Sequence, residues 1–185
     1  MHPFRSGRRV RAALALPALA LSGLALAGAS SAVGAPEAHH GRVSEPLVVR
    51  GSDIVKDSPC PAGICIELTD GAFRGTPVGT GAYDGSVELR VAEAFPNGEG
   101  GVCAPIRGRI TLGAGTPDRL VLAVAGDSCQ DGAGDPTTSS FTGLARFTVA
   151  YGTGAWAGAS GHGNASFVED NADREQMTLI GRIRH

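Results

Sequence analysis

The chain has 185 residues, a length that suits one domain built around one hydrophobic core. Its net charge is −2, and its arginines are scattered along the sequence. An acidic chain of this kind argues against nucleic acid or an anionic lipid surface as a partner.

Residues 1–32 have the three parts of a secretory signal peptide. Four arginines precede an apolar run over residues 12–27, and small residues follow that run. The run is shorter than a membrane-spanning helix requires. We therefore expect cleavage near residues 29–32, export by the general or the twin-arginine route, and no membrane span in the mature chain. All 18 acidic residues lie after the segment, so the secreted chain is more acidic than the whole.

Residues 33–44 are rich in Ala, Gly, Pro, Glu and His and are expected to form a flexible N-terminus. From residue 45 to 185, short apolar runs alternate with glycine-rich breaks, and no long stretch has a helical period. This domain is predicted to be all-β, with about eight strands at residues 46–50, 64–69, 82–95, 102–112, 119–126, 140–151, 163–169 and 175–184.

Eight consecutive antiparallel strands can form a closed barrel or a two-sheet sandwich. We favour a small closed antiparallel barrel with neighbouring strands joined in sequence order, because closure removes the exposed sheet edges. The sequence leaves two orientations open. If the apolar faces line the lumen, charged residues such as Glu67 and Arg107 lie on the surface; in the opposite case they line the cavity. We expect apolar side chains inside, as in most small barrels.

Four cysteines, Cys60, Cys65, Cys103 and Cys129, lie in the exported part. An even number in an oxidising compartment predicts two disulfides. Cys103 and Cys129 flank residues 114–118 almost symmetrically, so a hairpin turn there would bring them together and leave Cys60 to pair with Cys65. A metal site is the alternative, but the sequence lacks paired Cys-x-x-Cys spacing. We expect neither a metal nor another cofactor.

A predicted strand at residues 140–149 runs into the glycine-rich corner Gly-Thr-Gly-Ala-Trp-Ala-Gly-Ala-Ser-Gly-His-Gly at residues 152–163. A similar corner occupies residues 79–85. This arrangement resembles the late barrel signature of the allene oxide cyclase and dirigent superfamily. The resemblance implies an eight-stranded barrel with a ligand cavity, in a family that includes plant cyclases, dirigent proteins and bacterial cyclases of polyketide rings. It identifies no active residue in this chain.

From these features we expect a secreted barrel that binds a small apolar molecule in its lumen without covalent chemistry. A lumen packed solid, with no pocket above about 300 Å³, would remove the basis for this expectation. One alternative is a cyclase or isomerase of a natural-product pathway, and another is a structural module of the cell envelope without a ligand. The oligomeric state stays open. The predicted ligand-binding residues are Tyr83, Val87, Leu89, Phe141, Phe147 and Met177, with Trp156 near the mouth.

Overall fold

A computed structural model describes residues 43–57, 60–130, 140–170 and 172–185. The expected signal peptide and nearly all of the expected N-terminal tail lie outside these ranges. Across the described ranges, no helix has the length and hydrophobicity that crossing a bilayer requires.

The chain forms a closed antiparallel barrel of eight strands joined in sequence order, as predicted. Pairing of the last long strand with the first, and of the third with the fifth, completes the ring. A two-residue strand, β4, pairs only with the start of the next strand. The strands are β1 (Ser44–Asp57), β2 (Cys65–Thr76), β3 (Gly79–Leu89), β4 (Phe95–Pro96), β5 (Val102–Leu112), β6 (Leu120–Gln130), β7 (Phe141–Gly152), β8 (Ser160–Glu169) and β9 (Arg174–Arg184).

Several strand boundaries differ from the prediction. Strands β1, β2 and β6 continue past glycines that indicated breaks, so that each is several residues longer than expected. Strand β3 ends at Leu89 instead of residue 95, because a 3-10 turn at Val91–Glu93 interrupts it. The prediction that this strand reaches residue 95 is therefore wrong, and Phe95 is 42% exposed.

Interior glycines make room for aromatic rings. A Cβ atom on Gly51 or Gly71 would lie 2.9 Å from the Tyr83 ring. A Cβ atom on Gly181 would lie 2.8 Å from the Phe147 ring. An eight-stranded barrel has an interior just wide enough for side chains to fill. Large and small residues must therefore alternate there, and a glycine inside these strands marks a close approach instead of a strand end.

The apolar faces of the strands point inward, which settles the orientation that the sequence left open. Arg107 and Glu88 face outward and are exposed, but the expectation that Glu67 would also lie on the surface is wrong, because its position on β2 has the inward parity of Thr69. The largest fully buried side chains of the core come from six of the eight barrel strands and include Leu47, Tyr83, Ile110, Leu122, Phe147, Met177 and Leu179.

Both predicted disulfides are present. Cys60–Cys65 closes the connection between β1 and β2, and Cys103–Cys129 joins directly opposed residues of β5 and β6. The two bonds lie at the same end of the barrel, which we call the disulfide end. At the opposite end, which we call the corner end, the glycine-rich corner bends through Gly154 and Gly158, whose φ angles are +57° and +75°.

The two disulfides are expected to differ in their contribution to stability. They close loops with sequence separations of 5 and 26 residues, and a longer loop costs the unfolded chain more entropy. Replacing Cys60 and Cys65 by Ser should lower the free energy of unfolding by about 2 kcal/mol, and the same change at Cys103 and Cys129 by about 3.5 kcal/mol. Urea denaturation of both variants measures this, and the reverse order would contradict it.

Gly181→Ala is expected to destabilise the barrel by about 1–3 kcal/mol, because the new methyl group meets the Phe147 ring and the His162 carbonyl oxygen. The matched control is Ile180→Thr, which changes the neighbouring outward-facing residue, 56% exposed, and should stay within about 0.5 kcal/mol of the parent. Equal unfolding midpoints for Gly181→Ala and the parent would contradict this prediction.

Candidate functional site

A cavity of about 30 Å³ lies inside the barrel towards the disulfide end. Three glutamates, Glu67, Glu169 and Glu175, line it together with Tyr83 and an apolar wall that includes Phe141. A volume of this size holds roughly two water molecules. It is about a tenth of the smallest volume typical of pockets for drug-sized ligands.

Four of the seven predicted ligand-binding residues line this cavity. They are Tyr83 and Val87 on β3, Phe141 on β7 and Met177 on β9. Because alternate residues of a strand share a face, the apolar alternation was sufficient to place these side chains inside.

The other three predicted residues lie elsewhere. Phe147 is buried in the middle of the lumen, where its ring packs over Gly181. Leu89 packs against the core without lining the cavity. Trp156 lies at the corner end, with its ring edge against His185 at a centroid distance of 4.8 Å, and so does not lie at the mouth of this cavity.

The middle of the lumen is filled by core side chains, and the cavity falls far below the size that an apolar ligand would need. At the corner end, a separate pocket of about 310 Å³ is lined by residues that include Phe73, Leu112 and Trp156. The cavity towards the disulfide end cannot hold a whole apolar molecule, and the expectation of an apolar ligand stays a prediction. What the cavity offers instead is a small polar space with one apolar wall.

Three carboxylates stand side by side on adjacent strands at this end. Asp53 on β1 lies directly opposite Glu175 on β9, which lies directly opposite Glu169 on β8. We call these three residues the acidic row. Directly opposed side chains in a sheet have Cβ atoms about 5 Å apart, and like charges at that distance repel each other.

The same register continues from the acidic row to a buried tyrosine. Asp53 lies opposite Gly71 on β2, and Gly71 lies opposite Tyr83 on β3. Because Gly71 has no side chain, the Tyr83 ring leans across β2 towards β1. We call the acidic row, Glu67 and Tyr83 together the acidic mouth.

The sequence prediction missed the acidic row, although a signal for it is present. Glu175 has the same strand parity as inward-facing Met177, and Glu169 has that of Phe167. Asp53 shares the parity of inward-facing residue 49 but lies beyond the predicted end of β1 at residue 50. Following the alternation to the ends of the predicted strands 163–169 and 175–184, and extending β1 to its true end, would have placed all three carboxylates inside the barrel.

Burial is the largest influence on the ionisation of these groups. It raises the pKa of Glu175 to about 8, and the nearby charges of Asp53, Glu67 and Glu169 add to that increase. Burial also raises the pKa of Asp53, although the hydroxyl groups of Tyr83 and Thr69 partly oppose this change. Glu175 is therefore predominantly protonated at neutral pH.

Two members of the acidic mouth have buried polar atoms that lack a hydrogen bond of normal geometry. These atoms are both carboxylate oxygens of Asp53 and the hydroxyl oxygen of Tyr83, whose side chain is only 2% exposed. The two groups are near enough to influence each other's pKa, but neither completes a hydrogen bond. Buried polar groups in proteins are nearly always hydrogen-bonded. Two adjacent exceptions beside a cavity single out this part of the barrel.

Three basic residues near this end form ion pairs away from the cavity. Lys56 Nζ lies 2.6 Å from Asp70. Arg90 and Arg174 pair with acidic neighbours on their own chain segments, at 2.7 Å in each case. Within the described ranges, no basic side chain lines the cavity, and no three His, Cys, Asp or Glu side chains are arranged to hold a metal ion.

The acidic row lies between the cavity and the exterior. Glu175 lines the cavity, and Asp53 and Glu175 both border a surface groove. Lys56 and Arg174 line this groove as well, each paired with an acidic neighbour.

Comparison with models of known protein families, with curated proteins and with solved structures gives no match to this chain. The resemblance to the allene oxide cyclase and dirigent superfamily therefore stays a prediction. The barrel that it implied is present, but a fold of this kind is compatible with many functions.

The raised pKa of Glu175 predicts a stability that falls as the pH rises. Between pH 4.5 and about 8 the unfolded chain has lost this proton while the folded chain still holds it, so ionisation favours unfolding. Glu175→Gln removes this group. Its stability relative to the parent should increase by about 3–4 kcal/mol between pH 5 and pH 8.

Urea denaturation at both pH values measures this difference. The matched control, Glu88→Gln, changes an exposed residue on the outer face of β3 and should follow the parent at both pH values. A constant difference between Glu175→Gln and the parent would contradict the prediction.

Proposed function

We propose that this chain is an exported barrel that binds a small molecule at the acidic mouth, without covalent chemistry. The observation that carries the proposal is the pair of buried groups without hydrogen bonds, the Tyr83 hydroxyl and the Asp53 carboxylate, beside the cavity. Export is supported by the two disulfides, which are typical of oxidising compartments.

A buried polar group without a hydrogen bond costs about 1–3 kcal/mol of stability. A phenylalanine at position 83 would keep the ring packed over Gly51 and Gly71 and would avoid that cost. A polar group kept at a net loss of stability is typical of sites where function and stability oppose each other. The tyrosine hydroxyl is therefore more readily explained by a binding role than by folding.

The proposed binding site lies at one end of the barrel and not in the packed middle of the lumen. The polar side of the cavity includes the three glutamates and Tyr83, and its apolar side includes Phe141 and Phe167. A cavity with one apolar wall and a few convergent polar groups is the usual form of a small-molecule site. Its small size means that it takes only one end of a molecule, while the rest lies outside.

A second candidate function is a cyclase or isomerase that uses the same site. Glu175 supports it, because a carboxylic acid with a pKa of about 8 holds a proton near neutral pH and can donate it to a substrate. In this alternative Glu175 is the general acid, and the Tyr83 hydroxyl positions the substrate. A structural envelope module without a ligand would require neither the protonated Glu175 carboxyl group nor the Tyr83 hydroxyl.

The chain contains two tyrosines, which provides a matched pair of variants. Tyr83→Phe should raise the free energy of unfolding by up to about 1 kcal/mol, because the cost of burying a hydroxyl without a hydrogen bond of normal geometry exceeds its weak stabilisation of the Asp53 carboxylate. Tyr151→Phe removes an exposed hydroxyl, from a residue 50% exposed, and should leave stability unchanged. Urea denaturation of both variants measures these effects.

Native mass spectrometry of the chain purified from its own source organism tests binding directly. We expect a co-purifying small molecule on the parent and on Tyr151→Phe, and a several-fold lower occupancy on Tyr83→Phe. An empty parent chain, together with a Tyr83→Phe variant that is less stable than the parent, would favour the structural module instead.

A further inference from the structure

We infer that the acidic mouth recognises a primary ammonium group at the end of a flexible apolar chain, such as that of an alkylamine. This inference rests on the proposed function and names the class of molecule that the site binds. Charge, size and hydrogen bonding each point to this group.

The strand register concentrates negative charge at the acidic mouth. Asp53, Glu175 and Glu169 are consecutive neighbours across three strands, and Glu67 lines the same cavity. Among the described residues, no basic side chain lines that cavity. The Asp53 carboxylate oxygens and the Glu175 carboxyl group are largely removed from water, and so their ionised forms favour a positive partner. A cationic ligand provides one, and an apolar or anionic ligand does not.

The volume of the cavity limits the size of the cationic group that it can hold. A cavity of about 30 Å³ admits a group with the dimensions of one or two water molecules. A primary ammonium meets this limit, whereas a quaternary ammonium with four carbon substituents exceeds it. The first carbon behind a primary ammonium can contact the apolar wall at Phe141 and Phe167, while the rest of an unbranched chain lies outside the cavity.

The Tyr83 hydroxyl offers a hydrogen-bonding group to a ligand in the cavity. Its side chain is only 2% exposed, its hydroxyl completes no hydrogen bond, and it lines the cavity. An ammonium group has three N–H donors and no acceptor. It can donate to the Tyr83 hydroxyl oxygen and to carboxylate oxygens of Glu175 and a neighbouring glutamate, which supply only acceptors when ionised. The hydroxyl proton of Tyr83 then points to the Asp53 carboxylate, which also lacks a hydrogen bond.

Binding of an ammonium group should release a proton. Glu175 is faced by Asp53 from β1, Glu67 from β2, Tyr83 from β3 and Glu169 from β8, and burial together with the three carboxylates raises the pKa of Glu175 to about 8. An alkylammonium stays charged below about pH 10. Its arrival favours the ionised form of Glu175, whose proton leaves to solvent. The affinity should therefore rise with pH up to about 8 and then level off.

The test compares n-butylammonium chloride with 1-butanol, which has the same length but no charge. Both are titrated into the isotopically labelled chain at constant ionic strength and followed by NMR chemical-shift changes. At pH 8.5 we expect n-butylammonium to bind at least tenfold more tightly than 1-butanol, since hydrogen bonds to charged groups contribute about 1.5–3 kcal/mol. Between pH 6 and pH 8 its affinity should rise by at least tenfold.

Two glutamate variants locate the site. Glu175→Gln should weaken n-butylammonium binding at least tenfold and remove the pH dependence, while 1-butanol binding changes less than about twofold. Glu88→Gln removes one negative charge from the outer face of β3 and should change neither affinity. Because Glu175→Gln is expected to be at least as stable as the parent, it should remain folded for this comparison.

Several outcomes would overturn the inference. Equal affinity for n-butylammonium and 1-butanol would refute ammonium recognition and leave small-molecule binding at the mouth intact. Equal binding of tetramethylammonium, or competition by calcium chloride at the same concentration, would refute it too, by showing that the site responds to charge alone. Binding of neither probe would also refute ammonium recognition, while the mass-spectrometric result decides the proposed function separately.

Discussion

The limited volume inside an eight-stranded barrel is the constraint on which the rest of this structure depends. Such an interior accommodates side chains only if large and small residues occupy complementary positions. Here the Phe147 ring packs over Gly181. At the next level of the barrel, the Tyr83 ring packs over Gly51 and Gly71. The glycines therefore act as parts of the core, and the packed middle of the lumen leaves a small cavity near the disulfide end.

The same packing produces the chemistry of the acidic mouth. The Tyr83 ring reaches from β3 towards Asp53 because Gly71 lies between them in the register. Its hydroxyl then ends among carboxylates instead of in solvent, and burial raises the pKa of both Asp53 and Glu175. The structural glycines and the buried polar cluster are thus consequences of one arrangement of strands.

Charge is distributed unevenly across the barrel wall. The acidic row and Glu67 belong to the inner face at one end, whereas Arg107, Arg109 and Arg146 are exposed on the outer face. A net charge summed over the whole chain conceals this separation. It explains how a moderately acidic chain can contain an interior in which burial and neighbouring carboxylates raise the pKa of Glu175.

Local sequence properties determined the fold class, the strand order and both disulfides, because alternation, glycine breaks and cysteine spacing act over short distances. They also placed Tyr83, Phe141 and Met177 on the inner face. Only the tertiary structure decided that the lumen is full, since packing depends on which side chains meet across the barrel. It likewise brought Asp53 beside Glu175, two residues far apart in the chain that become neighbours only when β9 pairs with β1 and closes the ring.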